Sequence, residues 1–112
     1  MALENTLGIL FFIRKDKARK KDGACPIYLR ITVNGLRAEY AVKRYIDPDR
    51  WLSSSGKAKG TTEASKSIND HLLTVQAAAF DAQTALIKRH ETITAEAIKN
   101  LMSGKSENPR FL

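Results

Sequence analysis

Residues 27–43 read IYLRITVNGLRAEYAVK, two alternating runs joined by Asn34-Gly35. Asn-Gly between alternating runs signals a two-residue hairpin, because both central residues of a type I′ turn need φ > 0. The turn fixes the register. Val33 should face Leu36, Thr32 Arg37, Ile31 Ala38, Arg30 Glu39, Leu29 Tyr40 and Tyr28 Ala41. Side chains alternate between the faces of a strand, so this register sorts the residues into two sets. Ile27, Leu29, Ile31, Val33, Leu36, Ala38, Tyr40 and Val42 form an apolar face, expected to be core. Tyr28, Arg30, Thr32, Asn34, Arg37, Glu39, Ala41 and Lys43 form the other. That second face offers guanidinium, hydroxyl, aromatic and ammonium groups, the types that read base edges and phosphates.

Upstream, residues 7–14 (LGILFFIR) read as a first strand, with Ile9, Phe11 and Ile13 on one side and Leu10, Phe12 and Arg14 on the other. It is apolar on both sides, which suits a central strand or an outer face that is partly covered. Residues 14–24 (RKDKARKKDGA) carry six basic and two acidic side chains. Asp22-Gly23 is a turn signal, and Pro26 marks the next strand. A long, mobile, basic loop is expected there, and the three strands should form an antiparallel meander over about residues 7–43.

Downstream, Asp47-Pro48 favours a turn, and Trp51 with Ile46 should close one end of the core. Residues 53–60 (SSSGKAKG) read as a flexible connector, where Lys57 and Lys59 can touch phosphates but a solvated loop is the simpler account. Thr61-Thr62-Glu63 starts a helix, with a hydroxyl N-cap and a carboxylate in the first turn. Ala64, Ile68, Leu72, Val75, Ala79, Ala82 and Leu86 then fall three and four apart, one helical stripe continued by Ala78 and Ala85. This helix, about residues 62–89, is expected to lie across the apolar face of the sheet. Thr94 caps a short second helix, 95–102, with Ile98 and Leu101 turned inward and Gly104 as its stop. The expected fold class is α+β: a three-stranded antiparallel sheet packed on a long C-terminal helix, with a second short helix. One domain spans 1–104, and 105–112 is a polar linker ending in Pro109-Arg-Phe-Leu112.

The 112 residues carry a net charge of +7. Residues 1–60 hold 13 Lys+Arg against 6 Asp+Glu, and residues 61–112 hold 6 against 6, so the whole excess lies in the half with the hairpin. Solubility alone would need no such segregation; a field on one half steers the protein toward polyanions.

No apolar run approaches the roughly 18 residues of a membrane span. The apolar stretch 7–13 is followed rather than preceded by basic residues, the reverse of a signal peptide. A soluble, cytoplasmic protein is expected, associated with the nucleoid when bound to DNA. The single cysteine, Cys25, excludes an internal disulfide and a multi-cysteine metal site; it reads as a small, partly buried residue. His71 and His90 have no metal-ligand partner at i+3 or i+4. Gly56 and Gly60 do not have the spacing of a phosphate-binding glycine loop. No enzyme activity, cofactor, metal or small-molecule substrate is expected.

The binding constellation is fuller. An arginine can donate two bonds to guanine, and Thr32 can bond a base or touch a thymine methyl. Tyr28, Arg30, Thr32, Arg37, Glu39 and Lys43 are the expected base-facing set. Arg14, Lys15, Lys17, Arg19, Lys20, Lys21 and Arg44 suit phosphate, which positions a protein without reading sequence. Simpler accounts stand beside these. Arg30 can form a cross-strand ion pair with Glu39, worth about 0.2–1 kcal/mol, which would also orient it. Arg37 and Lys43 suit a solvated face, and Tyr28 can pack beside Phe12.

Three stretches carry a resemblance: LGILFFIRKDK; DGACPIYLRITVNGLRAEYAVKRYIDPDRW; and GKAKGTTEA with the long helix and TITAEAIKNLMSG. Together they resemble the N-terminal arm-type DNA-binding domain of tyrosine recombinases (phage-type integrases) of mobile elements in Bacteroides-like bacteria. The likeness covers essentially the whole chain, and its most specific parts are the run into the hairpin and the Asp-Pro corner before Trp51. It implies a three-stranded sheet that lays its open face in the DNA major groove. It also implies partners: double-stranded DNA and the other domains and subunits of a full-length recombinase. Residues 108–112 look like the lead-in to a core-binding domain. The catalytic domain is missing from these residues, so Tyr28, Tyr40 and Tyr45 should not be taken for the nucleophile. Two other readings stay open: a double-stranded or structured RNA binder, and a protein-interaction domain using the same face.

Overall fold

A computed structural model describes residues 7–104. Asn34 and Gly35 have φ of 51° and 82°, the type I′ geometry. The strands they join, β2 (Cys25–Val33) and β3 (Leu36–Ile46), pair antiparallel in the expected register from Val33↔Leu36 to Tyr28↔Ala41. β1 (Leu7–Ile13) pairs with the far side of β2, so the order is β1-β2-β3 and β1 is an edge strand. Ile9, Phe11 and Ile13 stand opposite Ile31, Leu29 and Ile27, which joins them to the apolar face. β2 alternates buried and half-buried along its whole length.

The pairing of β2 with β3 shifts register once. Pro26 pairs with Tyr45 and Cys25 with Ile46, two residues out of step with Tyr28↔Ala41. Proline has no N–H to give the ladder, and the irregularity falls beside it. Lys43 and Arg44 are the extra residues, and Lys43 adopts a left-handed φ of 68°.

The helices form as their caps predict. In α1 (Glu63–Lys88) the Thr62 hydroxyl accepts from Ser65 N–H at 3.2 Å, and in α2 (Ala95–Met102) the Thr94 hydroxyl accepts from Ala97 N–H at 3.0 Å. Each such cap contributes about 1 kcal/mol. Leu72, Val75, Ala79, Ala82 and Leu86 are buried on α1 as the stripe requires. Ala64 is exposed and Ser65 is buried instead, its hydroxyl donating to Lys59 C=O at 2.7 Å.

The cover of the sheet is shared. Expectation gave it to the long helix, but α2 packs against β2 and β3, while α1 touches α2, β3 and a small second sheet. A 26-residue helix is about 39 Å long and a nine-residue strand about 30 Å, so α1 overhangs and needs further partners. One is the segment expected to be a flexible connector. β4 (Trp51–Leu52) pairs with β5 (Lys57–Ala58). Asn69 of α1 holds Ala58 by both backbone groups, accepting from its N–H at 2.9 Å and donating to its C=O at 3.2 Å. Gly56 at that turn has φ 65°, and a Cβ there would lie 3.2 Å from Phe11 C=O. Trp51 and Ile46 are buried in the common core, as expected, and Cys25 is fully buried.

Two further expectations are corrected. Leu36 is 71% exposed: it has core-face parity but sits at the hairpin tip. The basic segment is folded into a turn. Lys15–Lys17 forms a single 3-10 turn, and Arg19 N–H donates to Ala24 C=O at 2.8 Å and Gly23 N–H to Arg19 C=O at 2.7 Å. The linker expected at 105–112 lies outside the described residues.

Candidate nucleic-acid interface

The open face of the sheet is built from all three strands, because the β1 register brings its own outward residues into line. Three cross-strand rows result: Gly8–Thr32–Arg37, Leu10–Arg30–Glu39 and Phe12–Tyr28–Ala41. A fourth is started by Pro26 and Tyr45. Among the described residues no helix covers these rows; α1 and α2 lie on the apolar side with the core.

One end of the face is tied together. Glu39 sits between two guanidinium groups, 3.2 Å from Arg14 and 3.8 Å from Arg30. The first is a hydrogen bond; the second is an ion pair without one. Arg30 stands over the Phe12 ring at 4.8 Å and Arg14 over the Tyr28 ring at 5.4 Å, while the two rings lie 6.0 Å apart. Cation–π contacts of this kind contribute about 0.5–1 kcal/mol each at exposed sites. Arg30 Nε is buried without a hydrogen-bond partner among the described residues. Arg19 stands over the Tyr45 ring at 4.2 Å and pairs with Asp22 at 2.8 Å.

The carboxylates of the basic turn are shaped by these contacts. The Arg14 side chain, donating to Asp16, holds that carboxyl below its ordinary value, and the Asp16 carboxylate in turn raises the Arg14 guanidinium above its own. The Ala24 N–H, accepted at 3.0 Å, holds the Asp22 carboxyl low, with Arg19 adding to it.

The other end of the face is open. Arg37 is exposed and has no ion pair or hydrogen bond among the described residues. With Gly8, Leu10, Arg30, Thr32 and Gly35 it lines a shallow cleft of about 470 Å³. Gly8 has no side chain to fill the space beside Thr32, so that hydroxyl and the Arg37 guanidinium are reachable from outside.

The structure therefore places Tyr28, Arg30, Thr32, Arg37 and Glu39 together on one surface. Lys43 stands at its border, at the bulge, where simple alternation no longer applies. Of the seven residues expected at phosphates, Arg14 belongs to the sheet surface, and Arg19 is tied to Asp22 and Tyr45. Lys15, Lys17, Lys20 and Lys21 are exposed and have no ion pair among the described residues. Arg44 is exposed, and among the described residues its side chain bonds only the neighbouring Lys43 C=O, at 3.3 Å. Sequence reasoning missed Gly8, Leu10 and Tyr45 as contributors to this face. Gly8 and Leu10 were legible in principle from β1 parity, but no tight turn fixed the pairing of β1.

A family model described as an arm DNA-binding domain matches residues 11–99. The chain belongs to the arm DNA-binding domain family. The match covers the last three residues of β1, all of β2, β3 and α1, and most of α2, so membership rests on β2 and β3, which supply most of the open face. Double-stranded DNA is the partner that this membership gives. No curated protein and no solved structure matches the chain. Among the described residues of this arm domain, no group of His, Cys, Asp and Glu is placed to hold a metal ion, and no helix is long and apolar enough to cross a membrane.

Proposed function

We propose that this arm domain lays the open face of its sheet in the DNA major groove and performs no chemistry. In this reading it tethers a phage-type tyrosine recombinase to accessory arm sites beside the recombination core. Tethering raises the effective concentration of the weaker core contacts without new bonds. The observation that carries the reading is the division of the open face. Its Phe12–Tyr28 end is stiffened by rings and by Glu39, while its Gly8–Arg37 end is open and presents an unpaired guanidinium beside a hydroxyl. A stiff platform with a few free donors suits direct readout, in which each bidentate arginine contributes about 1–3 kcal/mol of discrimination. Three strands span about 10 Å, against a major groove about 12 Å wide. Binding should weaken steeply with salt, in proportion to the phosphates neutralised.

An NMR titration of the labelled domain with duplex from the element's own ends tests this. Shifts should cluster on residues 14–24, Arg30, Thr32 and Arg37 and fade with salt. A domain whose open-face amides stay still at low salt, with every duplex, refutes the reading and turns attention to RNA or a protein partner.

A further inference from the structure

The fit of the sheet in the groove has a consequence for its edges. A sheet nearly as wide as the groove must bring its two edge strands against the two sugar–phosphate backbones. On the β3 edge the molecule has a second cleft, of about 560 Å³, which crosses from the open face to the helix layer. Tyr28 and Glu39 come into it from the sheet, Lys43 from the bulge, and Lys99, Met102 and Ser103 from α2.

Resting on the sheet-in-groove reading, we infer that this cleft is a phosphodiester site, with Lys43 and Lys99 as its cations and the Ser103 and Tyr28 hydroxyls as further donors. Two independent features of the backbone bring the lysines together. Lys43 is held at φ 68°, a conformation a lysine rarely adopts and one that tertiary surroundings must impose. Lys99 follows Ile98, a fully buried anchor of the core, so the position of its helical turn is set by core packing. The end of α2 is closed by Ser103 N–H to Lys99 C=O at 2.9 Å and Gly104 N–H to Leu101 C=O at 3.1 Å.

Two negative features border the cleft, and neither closes it to an anion. Glu39 is committed to Arg14 and Arg30. The C-terminus of a helix carries about half a negative charge, less than the full charge of Lys99 alone. Phosphate contacts fix orientation rather than sequence, so this site would set how the sheet is turned in the groove. It also gives the short helix a role beyond covering the core.

The test is the salt dependence of duplex binding by the whole chain, for the wild type, Lys99→Gln and Lys43→Gly. Glycine keeps the left-handed backbone, and glutamine keeps the helix. Each substitution should make the slope of log K against log salt shallower by about 0.9, on the element's duplex and on a scrambled one alike. A companion scan places single neutral methylphosphonate linkages along each strand. One linkage should weaken wild-type binding most and weaken Lys99→Gln and Lys43→Gly by less, because each variant has already lost one of the two cations at that phosphate. A wild type that binds with a slope unchanged in Lys99→Gln overturns the cleft assignment and leaves the sheet reading standing. A loss confined to the specific duplex overturns it too, because Lys99 would then be reading bases. A wild type with no salt-dependent affinity for any duplex removes the sheet reading and the cleft together.

Discussion

Replacing Gly8 with valine should make the domain more stable and a poorer DNA binder. Gly8 lies on β1 opposite Thr32, in the most open part of the face. Among the described residues a Cβ built there meets only the Thr32 Cβ, at 3.9 Å, which is ordinary contact. Glycine inside a strand costs about 0.5–1 kcal/mol relative to alanine, and a β-branched residue suits a strand further. A gain of about 0.5–1 kcal/mol raises Tm by about 2–8 °C in a domain of this size. The valine also fills the cleft through which Arg37 and Thr32 are reached. Loss of one bidentate base contact costs about 1–3 kcal/mol, or about 5- to 150-fold in affinity for the specific duplex. Thermal melting followed by circular dichroism reads the first effect, and fluorescence anisotropy with specific and scrambled duplexes reads the second. The opposite signs make the experiment decisive, because a folding defect lowers both quantities. A variant with higher Tm and unchanged specific affinity would refute the view that DNA is seated at this end of the sheet.

Ile98→Ala should cost about 2–5 kcal/mol, since it empties a fully buried site where α2 meets the sheet; Leu36→Ala, at the exposed tip, should stay within about 0.5 kcal/mol, and urea denaturation compares the two. Asn69→Ala removes the partner of both Ala58 backbone groups, so a loss of about 1–3 kcal/mol is expected, together with faster hydrogen exchange at the Ala58 amide. The carboxyls of Asp16 and Asp22 are held below their ordinary value in the folded chain. Their stabilising contribution is therefore complete above about pH 4 and is lost as pH falls through the lower folded values. In an NMR titration the Gly23 and Ala24 amides should shift below about pH 4, and Asp22→Asn should abolish that transition.

Much of this molecule is written in local sequence. Asn34-Gly35 determined the hairpin, its register and the identity of two faces, because a type I′ turn leaves one pairing and side chains alternate. Thr62 and Thr94 marked where the helices begin, since a hydroxyl there satisfies an amide that the helix itself leaves open. The apolar stripe of α1 followed from the period of the helix. Other features came from parts of the chain far apart in sequence. The ion pair of Arg14 with Glu39 joins residues 25 apart, and the Asn69 clamp gave order to a segment that looked like a polar connector. Leu36 had the right parity for the core and is exposed, because burial depends on what lies above a face and not on parity alone. Pro26 was visible in the sequence, but the two-residue shift beside it, which sends Lys43 toward Lys99, depends on how β3 must run to keep Ile46 in the core. Local rules follow from torsion angles and nearest-neighbour hydrogen bonds, which each short stretch carries with it. Burial, charge pairing and the meeting of β3 with α2 are sums over neighbours that the chain acquires only when its layers pack.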